Sequence, residues 1–411
     1  MRNFGFWIKL CLFNFFLVSV LGVLMRYNRV FSLNGMDHKF MQESHSHFAF
    51  YGWVSALIYL FVFQYLKKNN AEISTRKYHI VMVFNQVGSY GMLISFLYGG
   101  YYWLSIVFSS IALFTSFLYI LFLFLDSRGN NNSEIIWLKS GAIFAAISAI
   151  GIFGLAYYSS RKEDYSELYR SFTYLYLHYQ YNGFFLFSCI GLLLISLKKY
   201  GVELSKKQNK VIYYLLLIGC FFGYGLSILW IEMFDFLNVF FAIVSLIQLY
   251  GAWRLCSWVG KQRRGFMRDF SFIQKVLLWV VGFSFLLKFI LQSISAIPNL
   301  GVYIFNNINL VIAYLHLVLL MGVSLFLIWN IIEVVNLKIN KVLTFILLSL
   351  IFGIVLNEMI LGLVGVFSIF YIPFMSSAYW LLVASVIIML SILIFLLKIE
   401  FNESEIINSR K

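Results

Sequence analysis

Charge is what this sequence has least of. Only 12% of its 411 residues are Asp, Glu, Lys or Arg, against roughly 25% in a soluble domain. With 62% hydrophobic residues, the chain lacks the polar side chains that would cover its apolar surface in water. Proline is nearly absent, with two residues, Pro298 and Pro373, both between apolar runs. The four cysteines, Cys11, Cys189, Cys220 and Cys256, are scattered singly. None forms a CxxC or CxxCH, which leaves covalent haem attachment, a zinc ribbon and a disulfide framework without support. Acidic residues number 17 against 31 basic ones. The resulting charge of +14 does not point to nucleic acid, because the basic residues fall between apolar runs, where the positive-inside rule accounts for them.

What the chain has in abundance is long apolar segments. A bilayer core of about 30 Å takes roughly 20 apolar residues of helix. That ruler marks twelve spans, near residues 5–26, 44–66, 79–98, 102–125, 136–157, 171–197, 211–231, 234–257, 271–294, 304–335, 341–366 and 374–398. Arg2 and Lys9 precede the first apolar run, but no small-x-small cleavage site follows closely, so that run reads as a membrane helix rather than a signal peptide. Nothing between the spans is long enough for a soluble domain. The expectation is an all-α integral membrane protein, one polytopic domain over residues 1–411, whose direct partner is the lipid bilayer. Placing the N-terminus inside puts 24 of the 31 basic residues on the inner side. Both termini, and the loops near Lys198–Lys210 and Lys261–Arg268, are therefore expected in the cytoplasm, with the protein in the cell (inner) membrane.

Six histidines occur. His38 and His79 read as interfacial. His45 and His47 belong to the second span, His178 to the sixth and His316 to the tenth. From His47 to His178 is 131 residues and from His178 to His316 is 138, each interval holding four helices. The chain thus reads as three four-helix units with histidine on the second helix of each. His47 and His178 share a local pattern, H-x4-G-aromatic, through Gly52-Trp53 and Gly183-Phe184; after His316 the glycine, Gly322, comes one place later. An imidazole in lipid costs several kcal/mol unless its nitrogens are satisfied. Ligation to haem iron or a metal through one nitrogen is one solution, and hydrogen bonding across helices is another. Two residues subtend about 200° on a helix, so His45 and His47 face different sides and one of them is the candidate ligand.

Twelve helices in three arcs, with histidines on the second, sixth and tenth, resemble the haem–copper oxidase subunit I superfamily. The HSH-x4-G-aromatic segment is also similar to the H-x-H-E-x3-G segment of NnrS-type membrane haem proteins, with Phe48 in place of their glutamate. The resemblance implies a haem b held by His316 and either His45 or His47, and a copper-side position at His178. It also implies redox or O2/NO-related chemistry, an oxidoreductase or electron-transport role, and an electron-donor protein as partner. The seventh span lacks the oxidases' histidine pair, the tenth has one histidine rather than two, and no H-P-E-x-Y follows in the sixth. A complete oxygen-reducing binuclear centre is therefore not expected.

Intramembrane ionisable groups are the other candidates. Arg26 and Lys288 are expected to pair with haem propionates or to snorkel outward, and Glu358 to relay protons or cations. Glu232 and Asp235 flank the turn after the seventh span. Asn85 and Gln86 read as interhelical glue. A cofactor-free secondary transporter is the competing function, and a structural or assembly factor a third.

Overall fold

The structure is a computed structural model that describes residues 4–33, 35–231, 234–297 and 300–400. Arg2, Glu232, Pro298, Arg410 and Lys411 lie outside them. Twelve helices long and apolar enough to cross a membrane are present among the described residues. They are α1 (Phe4–Phe31), α2 (His38–Asn69), α3 (Thr75–Gly99), α4 (Trp103–Asp126), α5 (Ser133–Tyr158), α6 (Ser166–Lys198), α7 (Lys206–Ile228), α8 (Asp235–Arg263), α9 (Phe272–Ile294), α10 (Ile308–Val334), α11 (Lys341–Ile369) and α12 (Ser377–Lys398). There is no strand among the described residues. The protein is an all-α, multi-span membrane protein.

The hydropathy ruler located each span but not each end. A cap decides where α10 starts: the Asn307 side chain accepts from the backbone N–H of Asn309 and Leu310, so the helix begins at Ile308 rather than near 304. Asp37 does the same for α2 through Lys39 and Phe40, which sets its start six residues ahead of the apolar run.

The contacts divide the chain into two compact units, Met1–Arg128 with Leu327–Lys411, and Gly129–Phe326. These units group contacts in space, whereas the histidine spacing divides the sequence in three. In the first unit α1 packs on α12, α12 on α11, and α3 on α2 and α4. In the second, α5 packs on α6, α7 on α8, α8 on α9, and α9 on the middle of α10.

The threefold element survives locally. α2, α6 and α10 each change from α to π geometry, over Ala49–Ser55, Tyr179–Phe185 and Leu317–Ser324. No other π-helical segment occurs among the described residues. Each begins one or two residues after a histidine of the sequence pattern, and each contains the glycine of that pattern. At Gly183 a Cβ would come within 2.4 Å of Phe144 on α5, so α5 packs this closely on the π turn only because the side chain is absent. α2 and α6 are also the most buried helices, with 83% of each apolar window inside the protein, against 50% for α10.

Candidate functional site

A π turn shifts the hydrogen-bond ladder by one residue and leaves carbonyls needing other donors. In the first unit these come from side chains of α1 and α3. Asn14 donates to the Gly52 carbonyl at 2.7 Å and Asn85 to the Tyr51 carbonyl at 2.8 Å. Asn14 also donates to Gln86 and accepts from Tyr90, at 2.8 and 2.7 Å. In the second unit Ser284 of α9 donates to the Leu317 carbonyl at 2.6 Å. Asn85 and Gln86 are indeed interhelical bridges, and their targets explain why polar groups stand there.

His45 and His47 point to different neighbours. The Nδ1–H of His45 donates to the Val18 carbonyl of α1 at 3.0 Å, and no hydrogen bond to its Nε2 is found among the described residues. A Cβ at Gly22, one turn further along α1, would lie 3.7 Å from the His45 ring, so the helix leaves room beside the imidazole. His47 is engaged at both nitrogens, with Nδ1 on the Glu43 carbonyl at 2.8 Å and Nε2 on the Tyr101 hydroxyl at 3.1 Å. Its ring stacks on Phe96 with centroids 4.4 Å apart. Tyr101 reaches it because Gly100, at φ +61°, turns the chain sharply between α3 and α4, a conformation that favours glycine.

Arg26 is buried on α1. It interacts electrostatically with Glu358 of α11 and with His45, while Glu358 accepts from its neighbour Asn357 at 3.0 Å. The first unit therefore places His45, Arg26 and Glu358 within electrostatic reach of one another, and engages His47 with other partners.

The second unit holds His178, His316 and Lys288. His178 is fully buried and both of its nitrogens are used. Nε2–H donates to the Cys220 carbonyl at 2.9 Å, and Nδ1 accepts from Asn182 at 3.1 Å, with Ser227 at 3.4 Å. The Cys220 carbonyl needs that donor because α7 tightens from α to 3-10 geometry at Gly223–Ile228. Tyr179 supports the same break by donating to the Phe221 carbonyl at 2.8 Å. Alongside runs a buried polar chain in which Gln292 donates to Gln248 at 2.9 Å. His316 is half-buried at the end of the α-helical part of α10, immediately before its π segment.

Lys288, 1% exposed, has no hydrogen-bond acceptor on its ammonium among the described residues. The cation lies 3.5 Å from the centre of the Phe289 ring and interacts electrostatically with His178 and Cys220. Burying an ammonium costs several kcal/mol after relaxation, and a desolvated cation–π contact offsets only about 2 kcal/mol of it. The protein by itself leaves this charge under-compensated.

Among the described residues no three His, Cys, Asp or Glu side chains are grouped where a metal ion could sit. Asn14, Ser284, the Val18 carbonyl, Tyr101 and Gln248 were not singled out from the sequence, whereas Asn85 was. Only the recurring histidine–glycine spacing hinted at where the helices would depart from α geometry.

The fold and these buried groups define a polytopic all-α membrane protein with polar sites inside its helices. No family model and no curated protein matches this chain.

Proposed function

We propose that this is an integral membrane haem-binding protein of haem–copper oxidase-like architecture. It serves redox or O2/NO-related chemistry without a complete oxygen-reducing binuclear centre, in the cell membrane with both termini cytoplasmic. The observation that carries this reading is His45. Its Nδ1–H is held by the Val18 carbonyl, which selects the tautomer with its lone pair on Nε2, and that nitrogen has no hydrogen bond among the described residues. A ligating histidine characteristically donates its other ring N–H to such an acceptor.

His45 would hold the haem iron through Nε2, and Arg26 would pair with a propionate. A b-type haem bound there would supply an iron that changes oxidation state and takes up diatomic ligands. Glu358 is the carboxyl group of the same unit suited to hold or pass a proton. His316, the other ligand implied by the family resemblance, belongs to the second unit. Copper at His178 does not fit: both nitrogens are already bonded within the protein, and no group of three ligands surrounds it among the described residues. No copper chemistry is derived.

Optical spectra of detergent-purified protein, oxidised and dithionite-reduced, test the proposal. A Soret band with a sharp reduced α-band is expected, lost in His45→Ala and kept in His47→Ala. Absence of haem from the parent protein would sink it. A second reading, a cofactor-free secondary transporter, is favoured by the buried His178 and Gln248 beside Gly223, where the end of α7 tightens to 3-10 geometry, since polar groups buried within a membrane mark candidate substrate paths. A haem-free protein that remains folded would turn the choice to that reading.

A further inference from the structure

A cavity of about 370 Å³ lies wholly within the second unit, between α6, α8, α9 and α10. It is within the range of about 300–1,000 Å³ typical of small-molecule sites. Its walls are almost entirely apolar, and no histidine is among the residues lining it. Nothing there would ligate a haem iron through imidazole.

The cavity is elongated along α9. Its lining runs from Leu278 to Lys288, about 15 Å at the helical rise of 1.5 Å per residue. Two wall positions, Gly260 and Gly282, are open, since a Cβ at either would meet nothing within 4 Å. Trp279 and Phe283, also on the wall, are more than half exposed on the surface of the protein. In a membrane that surface meets hydrocarbon, which gives an apolar molecule a lateral way in.

Lys288 is the one basic residue among the lining residues. Its buried ammonium has neither a hydrogen-bond acceptor nor an acidic partner among the described residues. The other polar wall residue, Ser284, already donates to the Leu317 carbonyl. A long apolar cavity walled in part by the Lys288 side chain, whose under-compensated ammonium lies buried behind that wall on the Phe289 ring and reaches the cavity by a turn of its flexible stem, is complementary to an apolar chain ending in an anion. We propose that the cavity binds a single-chain carboxylic acid drawn from the bilayer, with its carboxylate on Lys288 Nζ and its chain along α9 towards Leu278. This site goes beyond the haem reading, shares no residue with His45, Arg26 or Glu358, and stands or falls separately from it.

The test uses the full-length protein in detergent and a photoactivatable dodecanoic acid, with labelled peptides mapped by mass spectrometry. Labelling is expected on α9 or α10, and dodecanoate should compete about tenfold or more better than dodecanol, as a charge-assisted hydrogen bond implies. Lys288→Met should remove that preference. Gly282→Leu and Gly260→Leu should suppress labelling by occupying the cavity, and both suit a helix better than glycine does, so folding is retained. Equal competition by the acid and the alcohol, unchanged labelling in the Gly→Leu variants, or no specific labelling of the parent would each overturn the proposal. The haem spectrum, recorded on the same samples, should be unaffected by Gly282→Leu and Gly260→Leu.

Discussion

His45 and Val18 are joined across α2 and α1, with the histidine Nδ1–H donating to the valine carbonyl at 3.0 Å. Two residues along α2, His47 turns to the other side of the helix and closes on Glu43, Tyr101 and Phe96. The two imidazoles are chemically identical and adjacent in sequence, yet one retains a nitrogen for a ligand and the other serves packing.

The two histidines should therefore fail differently when replaced. His47→Ala loses a stacked ring contact and a hydrogen bond to the half-exposed Tyr101, which amounts to about 1 kcal/mol. A drop of a few degrees in the unfolding temperature in detergent is expected, with haem stoichiometry unchanged. Loss of haem on replacing His47, with His45→Ala silent, would reverse the assignment.

Asn14 should matter more than Asn85. Hydrogen bonds between membrane helices average about 0.6 kcal/mol. Asn14→Leu removes three, to Gly52, Gln86 and Tyr90, and is expected to destabilise the first unit by about 2 kcal/mol. Asn85→Leu removes the side-chain bond to the Tyr51 carbonyl and should sit near the average. Equal effects in chemical unfolding would mean that the π-segment carbonyls find other donors.

His178 is expected to be a structural residue of α7. In His178→Ala the buried Cys220 carbonyl loses its donor, which costs about 1–3 kcal/mol. His178→Gln should recover part of this, because an amide can donate to the same carbonyl. Metal content and reactivity towards carbon monoxide or nitric oxide should not change in either variant. Altered gas binding in His178→Gln at unchanged stability would show that the ring does more than brace the helix.

Orientation is open to direct labelling. A cysteine introduced near Asp164 should react with an impermeant maleimide on intact cells, and one introduced near Lys261–Arg268 should not. The opposite pattern would invert the topology argued from the 24-to-7 split of basic residues.

The number and place of the spans belonged to the sequence by itself, because burying about twenty apolar residues in lipid is a property of composition and length that no neighbour alters. So did the recurrence of histidine on α2, α6 and α10, and the placing of Arg26, Lys288 and Glu358 inside helices. The tertiary structure decided what those groups do. A carbonyl needing a donor arises only where a helix leaves α geometry, as at Gly52 and Cys220, and hydropathy does not record that departure. Whether an imidazole nitrogen is spoken for depends on a backbone atom from another helix: Val18 for His45, Cys220 for His178. The cavity beside Lys288 likewise exists only because four helices leave space between them, so its under-compensated charge becomes visible only when the packing is known.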